Sequence, residues 1–558
     1  MASSMPNVVR NINDLLPQDI LWTIFLLNSV DGQEEMRTRL RNTIVSTHVC
    51  REWRRIVVGG TSIWGSLVLF DYGRLDESMI QEIIMRSGDA RLWVEITGMP
   101  NFDDARDLLM RVLPGLWSRI ERFKASVRVY SQHELNSYFL PLLGHPAPLL
   151  REVHYTSLGW KGWSGVSPAQ SPYLFSNTAP RLRSFSAQCL PIPVNASWLS
   201  GLTALETGPL SSFTMDILQT LQVLGRMPLL QSLILDHDIP NVVHDIADIS
   251  SYPTVYLNNL KYMAIRGHAT TSLALVDRIK RSRSGCLVNL GVYTYSSMPN
   301  SDVVLASLFN QTFSRNVEFI HGSNPLDWIC LCIQGAELVL ADRGCSNYDL
   351  TPPPQPTENA THAAQPPQPS SKGIYLKFIM NSQDRQTLLH SVFNTILECP
   401  SIKDITTLRL VIYESIHNLV YAEPLSKLTS VTTLEATPRS LVSFDTWRNR
   451  NDLHIPFPNC TTLRLLCESD SVMYHAPLLH DELRVRSLSP LARRISTVKL
   501  FKMQQVEDVV DSLSRVLYVS SVQVEDDKEG RNDKVITLVY ADTFAEPEYD
   551  RLANLLSF

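Results

Sequence analysis

The apolar residues near the start of the chain recur at the spacing of an amphipathic helix. In INDLLPQDILWTIFLL, Ile20, Ile24 and Leu27 follow one another at three- to four-residue intervals, and Phe25 lies beside them. Proline is well tolerated at a first helical position, so we expect a helix that starts at Pro17. This apolar stripe needs another surface against which to bury.

A second helical pattern follows in TIVSTHVCREWRRIV. Val45, Val49, Trp53 and Ile56 recur at four, four and three residues, which predicts one continuous helix with all four side chains on one face. The two glycines at 59–60 are expected to end that helix. The N-terminal segment is therefore predicted to contain two or three helices.

Downstream, the hydrophobic period changes from the helical one to alternation. An apolar residue, two variable residues, an apolar residue, one variable residue and a small or apolar residue recur, which predicts strands with one buried face. The pattern begins at Ile120, Leu150, Leu182, Leu202, Leu230, Leu260, Leu287, Ile405, Val431, Cys460 and Ile495. Neighbouring copies within the two runs are 20 to 35 residues apart. This spacing straddles the leucine-rich-repeat period of about 20–29 residues.

Several of these strands follow a proline-containing turn, and segments such as SFTMDILQTLQVLGRM have the pattern of a returning helix. A unit of strand, turn and helix cannot bury its own apolar face, so stacked units would share one core and align their strands in parallel. The sequence therefore favours a degenerate, leucine-rich-repeat-like α/β solenoid. An ordinary α/β domain with parallel strands is the alternative.

Three further segments refine this organisation. In DESMIQEIIMRSGDARLWVEI, Met79, Ile83 and Ile84 predict a helix, Gly88 its end, and LWVEI a strand. Near the C-terminus, two strands are predicted on either side of a charged turn at Gly530, and we expect them to cap the array as a hairpin. Residues 348–373 are rich in proline and almost free of apolar residues, which is typical of a disordered linker.

Composition narrows the class of protein. The chain has 558 residues, of which 44% are hydrophobic and 19% charged, as in ordinary globular proteins. Its net charge is −6 and the charged residues are scattered along the sequence, so we do not expect nucleic acid as a partner. Nine cysteines show neither a CxxC pair nor zinc spacing, which favours a reducing compartment. The sequence shows no secretory or membrane-spanning stretch, so we expect a cytoplasmic or nuclear protein without membrane contact.

The common catalytic and nucleotide-binding motifs are not present in the sequence. Ser164 in GWSGV lacks the glycine spacing of a nucleophile elbow and is interpreted as a turn residue, and His48 as a surface or packing residue. Cys330 and Cys332 in WICLCIQ suit a buried strand better than a metal site. We expect no catalytic residue, cofactor or metal, although an enzyme with a site scattered over the repeat loops remains an alternative.

The N-terminal motifs LP, IL, IF, VCREW and IW stand in the order and approximate spacing of the F-box, and this part of the chain resembles that family. The following helix, Ser-Gly turn and strand resemble F-box proteins of the type expanded in fungi. The polar stretch 31–42 is longer than in the simplest F-boxes and is expected to be a surface loop. The resemblance implies that the following residues build the F-box core or contact a Skp-type adaptor: Leu16, Pro17, Ile20, Ile24, Phe25, Val49, Cys50, Trp53 and Trp64.

The resemblance implies an F-box over residues 11–70. The repeat pattern and the composition predict a first part of the solenoid over 71–347, a linker over 348–373, and a second part with the capping hairpin over 374–558. The implied function is that of a non-catalytic substrate receptor in a Skp-cullin-F-box ubiquitin ligase. Its partners would be the Skp-type adaptor, the cullin scaffold and a target protein. The alternatives are a small helical subdomain with no such partner and a ligase-independent interaction scaffold.

Overall fold

The protein has a mixed α/β fold with extensive parallel sheet and divides into two compact units. The first unit comprises Met1–Asn241, Tyr252–Leu260 and Arg278–Arg281, and the second comprises Val242–Ser251, Lys261–Asp277 and Ser282–Phe558. The computed structural model describes residues 16–30, 34–71, 76–97, 102–128, 140–158, 174–187, 190, 192–208, 216–237, 246–281, 286–294, 307–312, 315, 328–334, 337–342, 373–380, 393–394, 396–398, 400–412, 425–437, 440, 457–466, 497–503, 519–526 and 534–540.

The helices are concentrated in the N-terminal part of the chain. In chain order they are α1 Gln18–Val30, α2 Met36–Ser46, α3 Arg51–Gly59, α4 Thr61–Gly65, α5 Glu77–Ser87, α6 Phe102–Leu116, α7 Leu140–Leu143, α8 Ile217–Leu224, α9 Ile246–Ser251, α10 Ala269–Arg278 and α11 Pro400–Lys403. Short 3-10 turns cover Trp117–Arg119, Leu174–Asn177 and Ser197–Gly201.

The strands run through the rest of both units. In chain order they are β1 Val68–Asp71, β2 Leu92–Thr97, β3 Ile120–Arg128, β4 Glu152–Leu158, β5 Ser184–Ala187, β6 Ala204–Thr207, β7 Ser232–His237, β8 Val255–Leu257, β9 Tyr262–His268, β10 Ile279–Arg281, β11 Leu287–Thr294, β12 Trp328–Gln334, β13 Glu337–Asp342, β14 Gly373–Met380, β15 Thr407–Ile412, β16 Thr433–Ala436, β17 Thr462–Leu466, β18 Thr497–Met503, β19 Val519–Asp526 and β20 Lys534–Tyr540.

Helix α1 begins immediately after Pro17, whose carbonyl accepts hydrogen bonds from the backbone N–H groups of Ile20 and Leu21. Its inner face is fixed by a buried polar cluster around Ser29. The guanidinium of Arg39 donates to the Ser29 carbonyl at 2.6 Å, and the Ser66 hydroxyl donates to the Ser29 hydroxyl at 2.9 Å. Because these groups are buried, their hydrogen bonds fix the angle at which α1 packs against the helices that follow it. We call α1 to α4, residues 18–65, the helical module.

The prediction of one helix over residues 45–56 is wrong, because the chain turns between α2 and α3. The Thr47 hydroxyl donates back to the Ile44 carbonyl at 2.7 Å, which closes α2. Cys50 is extended, with φ −155°, and its sulfur accepts the backbone N–H of Trp53 at 3.4 Å, so it caps the start of α3. The sequence signal for this break was the run of small hydroxyl residues in VSTHVC.

The expectation of a surface loop over residues 31–42 is also wrong for residues 36–42, which form most of α2. Met36, Leu40 and Thr43 are spaced four and three residues apart and are buried. This stripe was hidden in the sequence by the arginines between its members. One of them, Arg39, is itself buried and bonded to Ser29.

The prediction of a helix, a Ser-Gly turn and a strand over residues 77–97 is confirmed by α5 and β2. The carboxylate of Asp76 caps α5 by accepting the Met79 N–H at 2.8 Å and the Ser78 hydroxyl at 2.9 Å, and these bonds lower the pKa of that carboxyl. Gly88 ends the helix with φ +48°, a conformation that side chains disfavour. The sheet begins with β1 at Val68, before the expected boundary at residue 71.

The predicted repeat strands are confirmed, since every one of the eleven segments contains a strand. In the first unit, β1 to β7 pair in sequence order and in parallel. One register row across β3 to β7 consists of Phe123, Val153, Phe185, Leu205 and Leu233, all of them buried. The apolar middle residue of each repeat therefore lies beside its equivalents in the neighbouring repeats.

The repeats are also joined through the backbone just before each strand. The N–H of Arg183 donates to the carbonyl of Arg151 at 2.9 Å, Thr203 donates to Arg183 at 2.8 Å, and Gln231 donates to Thr203 at 2.7 Å. The second unit repeats this arrangement, with Thr461 donating to Thr432 at 2.9 Å. Each residue is the one that follows the first apolar position of its repeat.

In the second unit, β9, β11 and β14 pair in parallel, and β13 then pairs antiparallel with both β14 and β12. The strands β12, β15, β16, β17 and β18 pair in parallel in that order. At the end of the chain, β20 pairs antiparallel with β19 and with β18, so the two strands predicted around Gly530 are present. Of the proline-rich segment 348–373, the described part is Gly373, the first residue of β14.

The small N-terminal core depends on Trp64. Its side chain is 2% exposed, its indole N–H donates to the Val57 carbonyl at 2.8 Å, and the Arg86 guanidinium lies 4.8 Å from its ring centroid. Trp64→Ala should destabilise the module by about 3–5 kcal/mol. Hydrogen-deuterium exchange of the full chain should show this as lost protection in α1 to α4. Trp22, which is 38% exposed, provides the control, since Trp22→Ala should reduce protection clearly less than Trp64→Ala does.

Candidate interaction surfaces

Helix α1 carries an apolar stripe that the rest of the described chain does not cover. The stripe consists of Pro17, Ile20, Ile24 and Leu27, spaced three, four and three residues apart, and we call it the outer stripe. Its exposed fractions rise from 43% at Ile20 to 59% at Leu27. Clustered exposed apolar side chains of this kind are typical of protein-interaction sites.

The opposite face of α1 is already packed. Leu21 and Phe25 are buried, and the Phe25 ring meets the Trp53 ring edge to face with centroids 5.0 Å apart. This face contacts α2, α3 and α4. The helix thus has two apolar faces, of which the inner one completes the core of the module and the outer one does not.

The nine residues predicted to form the core or the adaptor surface fall into three groups. Phe25 and Trp64 belong to the interior, so neither presents its side chain to a partner in this conformation. Leu16, Cys50 and Trp53 are half-buried, and the exposed members are Pro17, Ile20, Ile24 and Val49. The sequence-based list omitted Leu27 and Val45, although both are exposed and continue the helical spacing of predicted residues.

An ion pair borders the N-terminal end of the outer stripe. The Arg55 guanidinium donates to the Glu52 carboxylate at 2.6 Å and to the side-chain oxygen of Gln18 at 2.8 Å, which links α3 to the first residue of α1. These contacts lower the pKa of Glu52 and raise the pKa of Arg55, mainly through the hydrogen bond that the two share. Both groups are exposed, so the pair contributes little to stability and chiefly orients polar groups beside an apolar surface.

A small apolar cavity of about 230 Å³ lies between α2, β1 and α5. Leu40, Leu69 and Met79 contribute to its lining, together with an ion pair between Arg37 and the buried carboxylate of Asp71. Because Asp71 is the last residue of β1, this pair joins the helical module to the first strand of the sheet.

The face of the first unit's sheet opposite the row of Phe123 and Val153 is polar. On it, the Lys124 ammonium lies 2.9 Å from the Glu95 carboxylate. The Ser186 hydroxyl donates to Glu206 at 2.8 Å, and the Arg122 guanidinium lies 3.9 Å from the centroid of the Trp93 ring. Lys124 and Arg122 are exposed, Ser186, Glu206 and Trp93 are half-buried, and Glu95 is buried, so this face offers charged and hydroxyl groups to solvent.

His154 lies in the same register row, between Lys124 and Ser186. One ring nitrogen is 3.1 Å from the Thr156 hydroxyl. Burial lowers the pKa of His154, Lys124 lowers it further, and the carboxylates of Glu206 and Glu95 partly oppose the shift. The neutral imidazole is therefore favoured in the folded protein.

This shift predicts a loss of stability in mild acid. Because the folded-state pKa lies below the unfolded value of 6.5, His154 destabilises the fold as the pH drops from about 6.5 through its folded-state pKa. Its effect cannot exceed about 1.4 kcal/mol per pH unit, the limit for one proton. Denaturation of His154→Gln between pH 7 and 5 should show a shallower decline than the parent.

The exposed His48, in the turn between α2 and α3, provides the matched control. His48→Gln should keep the parent's pH dependence. An unchanged slope in His154→Gln would contradict the assignment of the acid sensitivity to His154.

The other residues singled out in the sequence do not assemble a chemical site within the described part. Ser164 lies outside the described residues, and Cys330 and Cys332 lie in β12 as a predicted strand requires. Among the described residues there is no group of three or more histidine, cysteine or acidic side chains placed to hold a metal ion. No described helix has the length and apolar character needed to cross a bilayer. The sequence matches no known protein-family model and no curated protein.

Proposed function

We propose that the chain is an F-box-type adaptor, the substrate-recognition subunit of a Skp-cullin-F-box ubiquitin ligase. The observation that carries this proposal is the outer stripe of α1, an exposed apolar surface on a small helical module with a complete interior. The motifs LP, IL and IF that resemble the F-box lie at the start of this helix and along it. In this proposal the Skp-type adaptor covers Ile20, Ile24 and Leu27.

The energetics favour a partner rather than an internal role for the stripe. Full burial of a large apolar side chain contributes about 1.5–3 kcal/mol, so four side chains left about half exposed forgo several kcal/mol in the isolated chain. The inner face of α1 is the one that packs within the helical module. Phe25 contacts the Trp53 ring, and Ser29 is hydrogen-bonded to Ser66. A second protein with a complementary apolar groove would recover that free energy.

We infer further that each sheet belongs to a leucine-rich-repeat-like solenoid. Strands that pair in parallel and in sequence order and share an apolar row support this interpretation. Within their units, the parallel strands β3 to β7 and β15 to β17 leave a largely polar, partly exposed face, on which a target could lie. The hairpin of β19 and β20 is in a position to cap the last parallel strand, β18.

In this role the protein contributes proximity rather than chemistry. The helical module would attach to the adaptor and cullin scaffold while the sheets hold the target, which raises the effective concentration of the target at the ligase. The reactive thiol that carries ubiquitin would belong to another subunit. No catalytic residue, metal or cofactor of this chain is needed.

The test is co-expression of the full chain with a Skp-type adaptor, followed by size-exclusion chromatography. The parent should elute as a one-to-one complex. The double variant Ile20→Asp, Ile24→Asp should lose at least about 100-fold in affinity, because two charges would have to be buried in an apolar contact. Both residues are exposed, so the folded state should be preserved.

Met85→Asp is the matched control, because Met85 is an apolar helical side chain, 67% exposed, on α5 rather than α1. It should bind the adaptor as the parent does. Undiminished binding by the folded double variant would refute the outer stripe as the contact. Adaptor binding without any co-purifying cullin would instead favour a ligase-independent scaffold.

A further inference from the structure

The polar face of the parallel strands β15 to β18 in the second unit carries a row of arginines. Arg409, Glu435 and Arg464 occupy one register position on three adjacent strands, and Lys499 takes the next place in the same row. The guanidinium of Arg464 donates to the Glu435 carboxylate at 2.8 Å. The row thus contains three basic residues and one acidic residue, so its charge is not balanced internally.

A row of hydroxyl groups lies on the same face, two residues earlier on each strand. It consists of Thr407, Thr433, Thr462 and Thr497, which pair with one another in register and are all half-exposed. None of these four hydroxyls bonds to another residue in the described part of the chain. Hydroxyl donors and cationic donors therefore line the same stretch of the sheet.

Arg409 contributes an unused donor to this surface. Its Nε atom is buried but has no hydrogen-bond partner among the described residues. Because this atom is shielded from solvent, a ligand would meet the terminal nitrogens of the guanidinium rather than Nε, and a carboxylate is the acceptor that pairs best with them. The half-exposed side chain leaves the rest of the guanidinium within reach of a ligand.

We propose that this face binds an acidic, Asp- and Glu-rich segment of a target protein. Carboxylates on one side of an extended segment recur about every 7 Å, a spacing that the long side chains of Arg409 and Arg464 can meet from strands roughly 10 Å apart. The threonine hydroxyls donate to the same carboxylates or to the backbone carbonyls of the segment. The inference deepens the proposed function by naming the class of target, and it rests on that function for its biological meaning.

The position of Glu435 favours a carboxylate over a phosphate or a nucleic acid as the ligand of this surface. Its side chain is 12% exposed, and its carboxylate already lies in the row between Arg409 and Arg464, where it accepts a hydrogen bond from Arg464. This pair shows that the surface accommodates a carboxylate, whereas a doubly charged phosphate would lie next to Glu435 and be repelled more strongly. A nucleic acid would bring a continuous line of such charges toward a chain with net charge −6.

Fluorescence anisotropy with the purified full chain and a labelled peptide of alternating Glu and Ser tests the proposal. Binding should weaken strongly when salt is raised from about 50 to 200 mM. Arg409→Gln and Arg464→Gln should each reduce affinity about tenfold, the effect of losing one charge-assisted hydrogen bond. Glu435→Gln should increase affinity several-fold, because it removes the carboxylate that competes for Arg464.

Arg122→Gln is the matched control, because Arg122 is also a strand arginine on a polar sheet face but belongs to the first unit and pairs with Glu152 at 3.3 Å. It should leave peptide affinity unchanged. Where Arg464→Gln disturbs the fold, the Glu435→Gln variant keeps the test decisive, since a merely structural ion pair predicts no gain in binding.

Failure of the Glu-Ser peptide to bind, or binding that ignores Arg409 and Glu435, would overturn the proposal. So would preferential binding of a phosphoserine peptide or of single-stranded DNA over the carboxylate peptide. No adaptor takes part in this assay, so its result is independent of whether α1 binds a Skp-type protein.

Discussion

A parallel strand with one buried face can satisfy its backbone only against another strand, and this constraint organises the greater part of the chain. Each repeat supplies a buried apolar row and a backbone N–H before its strand, and the next repeat supplies the matching row and carbonyl, as in Thr203 to Arg183. The crossovers are then free to vary in length. The segment of chain that connects β5 to β6 is shorter than the one that connects β17 to β18. Both pairs nevertheless keep their apolar positions in register.

The same constraint leaves the opposite face of strands such as β3 to β7 and β15 to β17 partly exposed. Because the alternate side chains need not pack into the core, they can differ between units without loss of the fold. In the first unit they form balanced pairs such as Lys124 with Glu95, and in the second a row with surplus arginine around Glu435. The charges of the polar faces can therefore differ between the units without any change in the apolar rows.

This division explains what the sequence could predict. Alternation identified every repeat strand, because a buried strand face requires regular apolar residues. The repeat pattern could not give the order of β11 to β14 in the sheet. Neither β13 nor β14 has that pattern, and β13 lies antiparallel between β14 and β12. It also missed the break at Cys50 and the buried stripe of α2, where hydroxyl-to-backbone bonds and a buried arginine outweigh simple periodicity. Of the candidate site, the sequence predicted the helix but not which of its residues are exposed.

That ambiguity has a physical origin in α1 itself. Leu21 and Phe25 lie one position after Ile20 and Ile24, so the two apolar stripes differ by about 100° around the helix and have the same period. Periodicity reports that both are apolar but not which one the chain covers. Only the tertiary contacts decide: the edge-to-face contact of Phe25 with Trp53 and the Ser29 cluster select the inner stripe. The outer stripe is therefore apolar and regular but exposed within the described chain, and the proposed adaptor contact rests on this observation.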